Sequence, residues 1–251
     1  MPAIWLARLL ALCACVISGP AFAQSDDMSA IFDKAMAAGE DQDDWDARAE
    51  ALKGFATVCE SGLAKACYNA GVMAERSYES DAAFDWMKKA CDRNKLVACY
   101  YVADKLAFRE PSNVPGARAL FGKTCAQGMI AACLRFGAML ETGEGGTEDN
   151  PKAFDVYKRA CAAKSAAGCD RLANFLRYRD GFGNDDLAAR NAFEIACSKG
   201  SWSACSSLAD MLREGRGGPK DPARASDLLM RVCLDGDNTG ACDSMLLTLD
   251  K

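Results

Sequence analysis

Histidine does not occur anywhere in the 251-residue chain. A Ser-His-Asp triad, a Cys-His dyad and histidine-ligated zinc are thereby excluded. Basic excess is also missing: 30 Lys and Arg face 35 Asp and Glu, for a net charge of −5 and a pI near 5.0. A protein that neutralises a nucleic-acid backbone needs the opposite balance, so no nucleic-acid partner is expected. The C-x-x-C pattern of dithiol catalysts is absent, which argues against redox catalysis. Alternating strand patterns are lacking too. The one apolar run of note, Leu9–Ile17, is too short for a stable membrane anchor. What remains is ordinary globular composition, half apolar and 26% charged. One number stands out, the 14 cysteines.

Residues 1–23 read as a targeting segment. Arg8 precedes the apolar run, Gly19-Pro20 breaks it, and Ala21-Phe22-Ala23 supplies a small-x-small cleavage pattern. This is the form of a secretory signal peptide cut after Ala23. Cys15 sits poorly as a lipidation cysteine, because apolar residues continue past it. The expected location is periplasmic or extracellular, with no membrane insertion after cleavage.

Twelve cysteines follow, in pairs: 59/67, 91/99, 125/133, 161/169, 197/205 and 233/242. First cysteines recur after 32, 34, 36, 36 and 36 residues, an internal repeat. Alanine stands eight residues before every first cysteine, at 51, 83, 117, 153, 189 and 225. Four residues before stand Phe55, Met87, Phe121, Tyr157, Phe193 and Leu229. Spacings of four and eight share one helix face. Three residues after the first cysteine come Gly62, Asn94, Gly128, Lys164, Gly200 and Gly236. All but the lysine tolerate the left-handed conformation that ends a helix. Each first cysteine therefore closes a helix, and each second cysteine opens the next. Apolar residues three and seven positions past the second cysteine give that next helix one buried stripe. Glycine-rich or polar loops at 141–151, 178–187 and 214–222 end these helices, and Pro151 and Pro222 suit first helical turns. Trp45, after the acidic stretch 40–46, marks another helix start.

The predicted unit is helix, polar loop, helix, tight cysteine turn. Two short helices bury too little alone, so the units must stack as a one-dimensional array. About thirteen helices are predicted between Asp26 and Asp250, in a single domain over 24–251. The clearest repeats fall at about 130–164, 166–200 and 202–236. Seven intervening residues are the wrong spacing for a zinc hairpin. A helix end facing a helix start across a short turn can bring Cα atoms within disulfide reach, and the signal peptide leads to an oxidising compartment. The expected bridges are Cys59–Cys67, Cys91–Cys99, Cys125–Cys133, Cys161–Cys169, Cys197–Cys205 and Cys233–Cys242. No cofactor or metal is expected.

Three stretches imitate functional motifs. Gly122-Lys123-Thr124 lacks the glycine spacing of a phosphate loop and falls inside a predicted helix. Asp235–Gly240 resembles the start of a calcium loop, but position twelve is Leu246 rather than glutamate. The acidic runs at 40–46, 148–149 and 185–186 read as solvated surface and helix capping. The face at two and five residues past each second cysteine is the better binding candidate. It carries Asn69 and Val72, Tyr101 and Asp104, Arg135 and Ala138, Arg171 and Asn174, and Ser207 and Asp210. Mixed aromatic and arginine surfaces suit peptide recognition.

The string ACLRFGAMLETGEGGTEDNPKAFDVYKRAC (132–161) resembles a Sel-1-like repeat, a relative of the tetratricopeptide repeat. ACSSLADMLREGRGGPKDPARASDLLMRVC (204–233) is a second clear copy. With its paired cysteines the chain is similar to the secreted cysteine-rich Sel-1-like proteins of Helicobacter, over roughly residues 50–251. The early copies are shorter, and 76–81 lacks glycine. The resemblance implies an all-α, right-handed α/α solenoid that binds a protein or peptide on a concave surface. It also implies penicillin binding or slow β-lactam hydrolysis, with a cell-wall fragment or β-lactam as ligand. The S-x-x-K, S-D-N and K-T-G motifs of that chemistry do not occur, so no catalytic residue is assigned. A third implication is a role in assembling a redox complex.

Overall fold

A computed structural model describes residues 21–40, 44–109, 112–178 and 185–235, with side chains between Asp27 and Leu234. The described residues form twelve α-helices and no strand. They are α1 (Ala21–Ala38), α2 (Trp45–Glu60), α3 (Ala64–Arg76), α4 (Ser80–Asp92), α5 (Leu96–Phe108) and α6 (Val114–Ala126), then α7 (Ile130–Thr142), α8 (Asn150–Ala162), α9 (Ala166–Tyr178), α10 (Asp186–Ser198), α11 (Trp202–Glu214) and α12 (Pro222–Asp235). The expected thirteenth helix, Cys242 and most of the calcium-like stretch lie outside the described residues. The cleavage point after Ala23 falls within α1. The chain divides into two compact units, Met1–Val102 and Ala103–Lys251. Both are built from the same repeat.

Helix starts are set by short acceptor side chains. Asp44 caps α2, accepting from the N–H groups of Asp46 at 2.8 Å and Ala47 at 3.1 Å. Asn113, Asp149, Asp185 and Ser201 cap α6, α8, α10 and α11. Each satisfies a donor that the first turn leaves unpaired. The cysteine turn is closed by a left-handed residue. Gly62, Asn94, Gly128, Lys164 and Gly200 all have positive φ. Lys164 adopts φ +61 despite its Cβ, at a steric cost that glycine escapes. Lys164→Gly should therefore raise unfolding free energy by about 0.5–1 kcal/mol, net of the freedom glycine adds to the unfolded chain. A chemical-denaturation midpoint measures it, and a lower midpoint would mean that the lysine is not strained.

Five disulfides span the cysteine turns, with Cα separations of 4.3–4.6 Å. Cys233 is also disulfide-bonded. The five pairings are those the spacing predicts, and most of these cysteines are buried, whereas the expected Cys233–Cys242 pairing involves a residue outside the described ones.

The core follows the repeat register. The six alanines eight before the cysteine are 0–2% exposed, and the large residues four before it are nearly as buried. Helices α3, α7, α9 and α11 are buried on more than the one stripe read from sequence. Met73, Met139, Phe175 and Met211, six past the second cysteine, are buried as well. The cause is that each of these helices packs on both of its neighbours in sequence. Small residues four past the cysteine let the next helix approach closely. A Cβ at Gly71 would lie 2.9 Å from Met87, and one at Gly137 would lie 2.5 Å from the Tyr157 ring.

Candidate functional site

The residues singled out in the sequence fall in both units. In the first, Asn69 of α3 donates through Nδ2 to the Met36 sulfur at 3.2 Å. Asn69 and Val72 line a hollow of about 180 Å³ together with Met36, Phe55 and Met73. Tyr101 of α5 donates its hydroxyl to the Glu75 carboxylate. Burial, and then that bond, push the phenol well above the ordinary tyrosine range.

In the second unit Asp104 and Arg135 come together across α5 and α7, at 3.6 Å. The Arg135 guanidinium also lies 5.4 Å from the ring centroid of Phe108 and 5.7 Å from that of Phe121. Phe108 is 65% exposed, so the stacked pair shows an aromatic edge to solvent. Within α9, Arg177 lies over the ring of its exposed chain neighbour Tyr178, at 4.8 Å. Sequence reading missed Phe108 and Tyr178, each nine past its second cysteine, because it followed this face only to the fifth position. The other candidates are not drawn into one cluster. Asn174 bonds within its own helix, to the carbonyl of Asp170 at 2.9 Å and its carboxylate at 3.2 Å. Asp210 pairs with Arg213 of its own helix at 2.7 Å. Ser207 is half-buried, and Arg171 is exposed. Between α9 and α11, Ser203 donates to Asp170 at 2.9 Å.

A recess of this unit lies elsewhere, between α6 and α8. It encloses about 660 Å³, with Phe136 and Leu140 of α7 as its floor. Pro115, Ala119, Gly122 and Ala126 form the α6 wall, and Lys152, Asp155, Val156 and Arg159 form the α8 wall. At its mouth Arg118 donates to the carbonyls of Glu144 at 3.2 Å and Thr147 at 2.7 Å. Arg190 holds the loop two repeats on, through Pro219, in the same way. The Gly122-Lys123-Thr124 stretch lies in the last turns of α6. Thr124 is fully buried there and donates to the Leu120 carbonyl. Among the described residues no group of three or more carboxylate or thiol side chains is placed to hold a metal. None of the described helices is long and apolar enough to cross a membrane.

The Sel1 repeat model matches residues 58–95, 130–165 and 202–228. Two of these stretches begin where the sequence places clear copies, whereas 166–200 is not among them. Those three stretches are similar to Sel1 repeats, and the fold class of the chain is an all-α, α/α solenoid. A protective antigen of uropathogenic Escherichia coli with an SLR fold is similar at 19% identity and a TM-score of 0.78. A Sel1 repeat protein from Oxalobacter formigenes is similar at 22% and 0.67. A part of a TPR repeat-containing protein from Cytophaga hutchinsonii is similar at 15% and 0.53. These matches cover 89%, 79% and 86% of this chain. They cover 86% of the Cytophaga chain, but the chain spans only 49% of the E. coli structure and 59% of the Oxalobacter one. At such identities they show the fold alone. No curated protein matches the sequence.

Proposed function

We propose that the protein is an exported, disulfide-stapled scaffold that binds a protein or peptide through the α5, α7, α9 and α11 face of its second unit. One observation carries the reading. On this face Arg135 stacks beside the exposed Phe108, and Arg177 beside the exposed Tyr178. Arginine and aromatic anchors dominate protein-recognition energetics. Sel1-type arrays generally serve protein recognition, and the antigen description of the E. coli neighbour suits a chain displayed outside the cytoplasm. The disulfides support an oxidising compartment, and residues 1–23 supply the route there. Asp104, Arg135, Arg171, Asn174, Ser207 and Asp210 are the proposed contact set, with Asn69 and Tyr101 the corresponding positions of the first unit.

The test is partner capture by photo-crosslinking in the native extracytoplasmic fraction. Arg171→Glu changes an exposed side chain, so it should lose the captured protein while melting like the parent. Arg135→Glu should do the same with a small loss of stability, because a carboxylate would then face Asp104. Equal capture by both variants would refute this face as the binding surface.

A further inference from the structure

The repeat register exposes a gap in the ion pairs that join successive cysteine-ending helices. In the first unit Glu60, one residue past its cysteine, pairs at 2.6 Å with Lys89, two residues before the next first cysteine. The Lys89 ammonium holds Glu60 below the ordinary carboxylate range. In the second unit Glu194, three before its cysteine, takes a two-pronged bond from Arg224, nine before the next, at 2.5 and 2.7 Å. Two registers thus carry helix-to-helix pairs, acid on the earlier helix and base on the later.

The α6–α8 step keeps both bases and lacks both acids. Arg159 stands two before Cys161, the place of Lys89, and Lys152 stands nine before it, the place of Arg224. The residues that should answer them are Ala126 and Gly122. Lys152 is exposed and only overlies the Phe136 ring at 5.3 Å. Arg159 and Asp155 are exposed and have no ion pair or side-chain hydrogen bond among the described residues. Where the acids are missing, the surface opens into the 660 Å³ cleft with its apolar floor. Loss of the two acids on one wall, retention of the two bases on the other and a recess between them coincide at this step. A second feature fits an incoming chain. Gly122 lets the Phe136 ring reach to about 3.0 Å of where a Cβ would stand, so the floor aromatic turns toward the α6 wall.

We propose that this cleft binds an acidic peptide segment of a partner protein. Its two carboxylates would pair with Lys152 and Arg159, and an apolar side chain between them would rest on Phe136 and Leu140. The vacated positions 122 and 126 are one helical turn apart, about 6 Å along the axis. A helical segment with acids four residues apart reproduces that spacing, and a groove between two helices is a standard seat for an amphipathic helix. Charge complementarity selects the sign of the partner. The site is separate from the arginine–aromatic face of the proposed function and does not depend on it.

The experiment is fluorescence anisotropy of the oxidised full chain with a labelled helical peptide carrying two glutamates four residues apart and leucines between them. The glutamine version should bind about tenfold more weakly or worse, and Lys152→Glu with Arg159→Glu should lose the acidic peptide to a similar degree. The same double variant should gain a lysine version of the peptide. Ala126→Glu supplies one missing acid within the chain, so it should weaken the peptide while leaving the melt unchanged or raised. Arg171→Glu should bind the peptide like the parent, although it loses the partner of the other face. Equal affinity for the glutamate and glutamine peptides, or full binding by Ala126→Glu, would overturn the proposal. So would glutarate displacing the peptide at the peptide's own Kd, which would make the site one for small dicarboxylates.

Discussion

Tyr157→Ala should lower the unfolding free energy by about 3–5 kcal/mol, the range for removing a fully buried aromatic ring. Tyr157 is 0% exposed. Its ring fills the notch left by Gly137 and meets Phe175 edge-on at 5.6 Å. Its hydroxyl donates to Glu141 at 3.2 Å. Tyr157→Phe should cost only about 1 kcal/mol, the worth of that hydrogen bond, because Phe55, Phe121 and Phe193 hold the same register position. Gly137→Ala isolates the packing. Alanine favours a helix by about 1 kcal/mol, yet its Cβ would lie 2.5 Å from a ring with no room to retreat. Overpacking of this kind costs about 1–3 kcal/mol, so the variant should be less stable than the parent. Urea titration of Tyr157→Ala, Gly137→Ala and the double variant measures the coupling. Strict additivity would show that the ring does not press on residue 137.

Replacing Cys161 and Cys169 together by alanine should cost about 2–3 kcal/mol, from the entropy of an open turn in the unfolded chain. The native turn would keep its backbone bonds. Lys164 donates to the Cys161 carbonyl at 2.8 Å and Cys169 to the Ser165 carbonyl at 2.9 Å. The helix ends should therefore stay in place while the unfolding midpoint falls. An unchanged midpoint would show that those bonds alone fix the turn, leaving the bridge no part in stability. Cys169 is 0% exposed and Cys161 7%, so reduction of this bridge in the intact protein should follow the rate at which the turn opens.

The repeat was legible because three signals recur at fixed offsets from the cysteines. The alanine eight before, the large residue four before and the left-handed residue three after all sit where their offsets place them. Lys164 is the informative case. Its sequence argues against a left-handed turn, and the register imposes one. The second buried face of α7 was not legible, because Met139 looks like any apolar residue until Gly137 and Tyr157 show how near α8 comes. The groove residues were only partly legible. Arg135 and Asp104 meet as neighbouring repeats should, but Asn174 and Asp210 turn to partners on their own helices, a choice of rotamer that spacing does not encode. The α6–α8 cleft left almost no positive mark. Its signal is the lack of an acid at 122 and 126, and that lack acquires meaning only beside Glu60–Lys89 and Glu194–Arg224.

Each of the five bridges joins cysteines eight residues apart, at the seam between two consecutive helices. Closing a loop of that length takes about 10–100 ns, so the right partner is always the first one met. A chain entering an oxidising compartment from its amino end can complete each bridge before the next pair of thiols arrives. Isomerisation of wrong pairings is then largely unnecessary. The same locality bears on how such a gene can change in length. One added or deleted period carries both halves of its own cystine, so copy number can vary without leaving an orphan thiol.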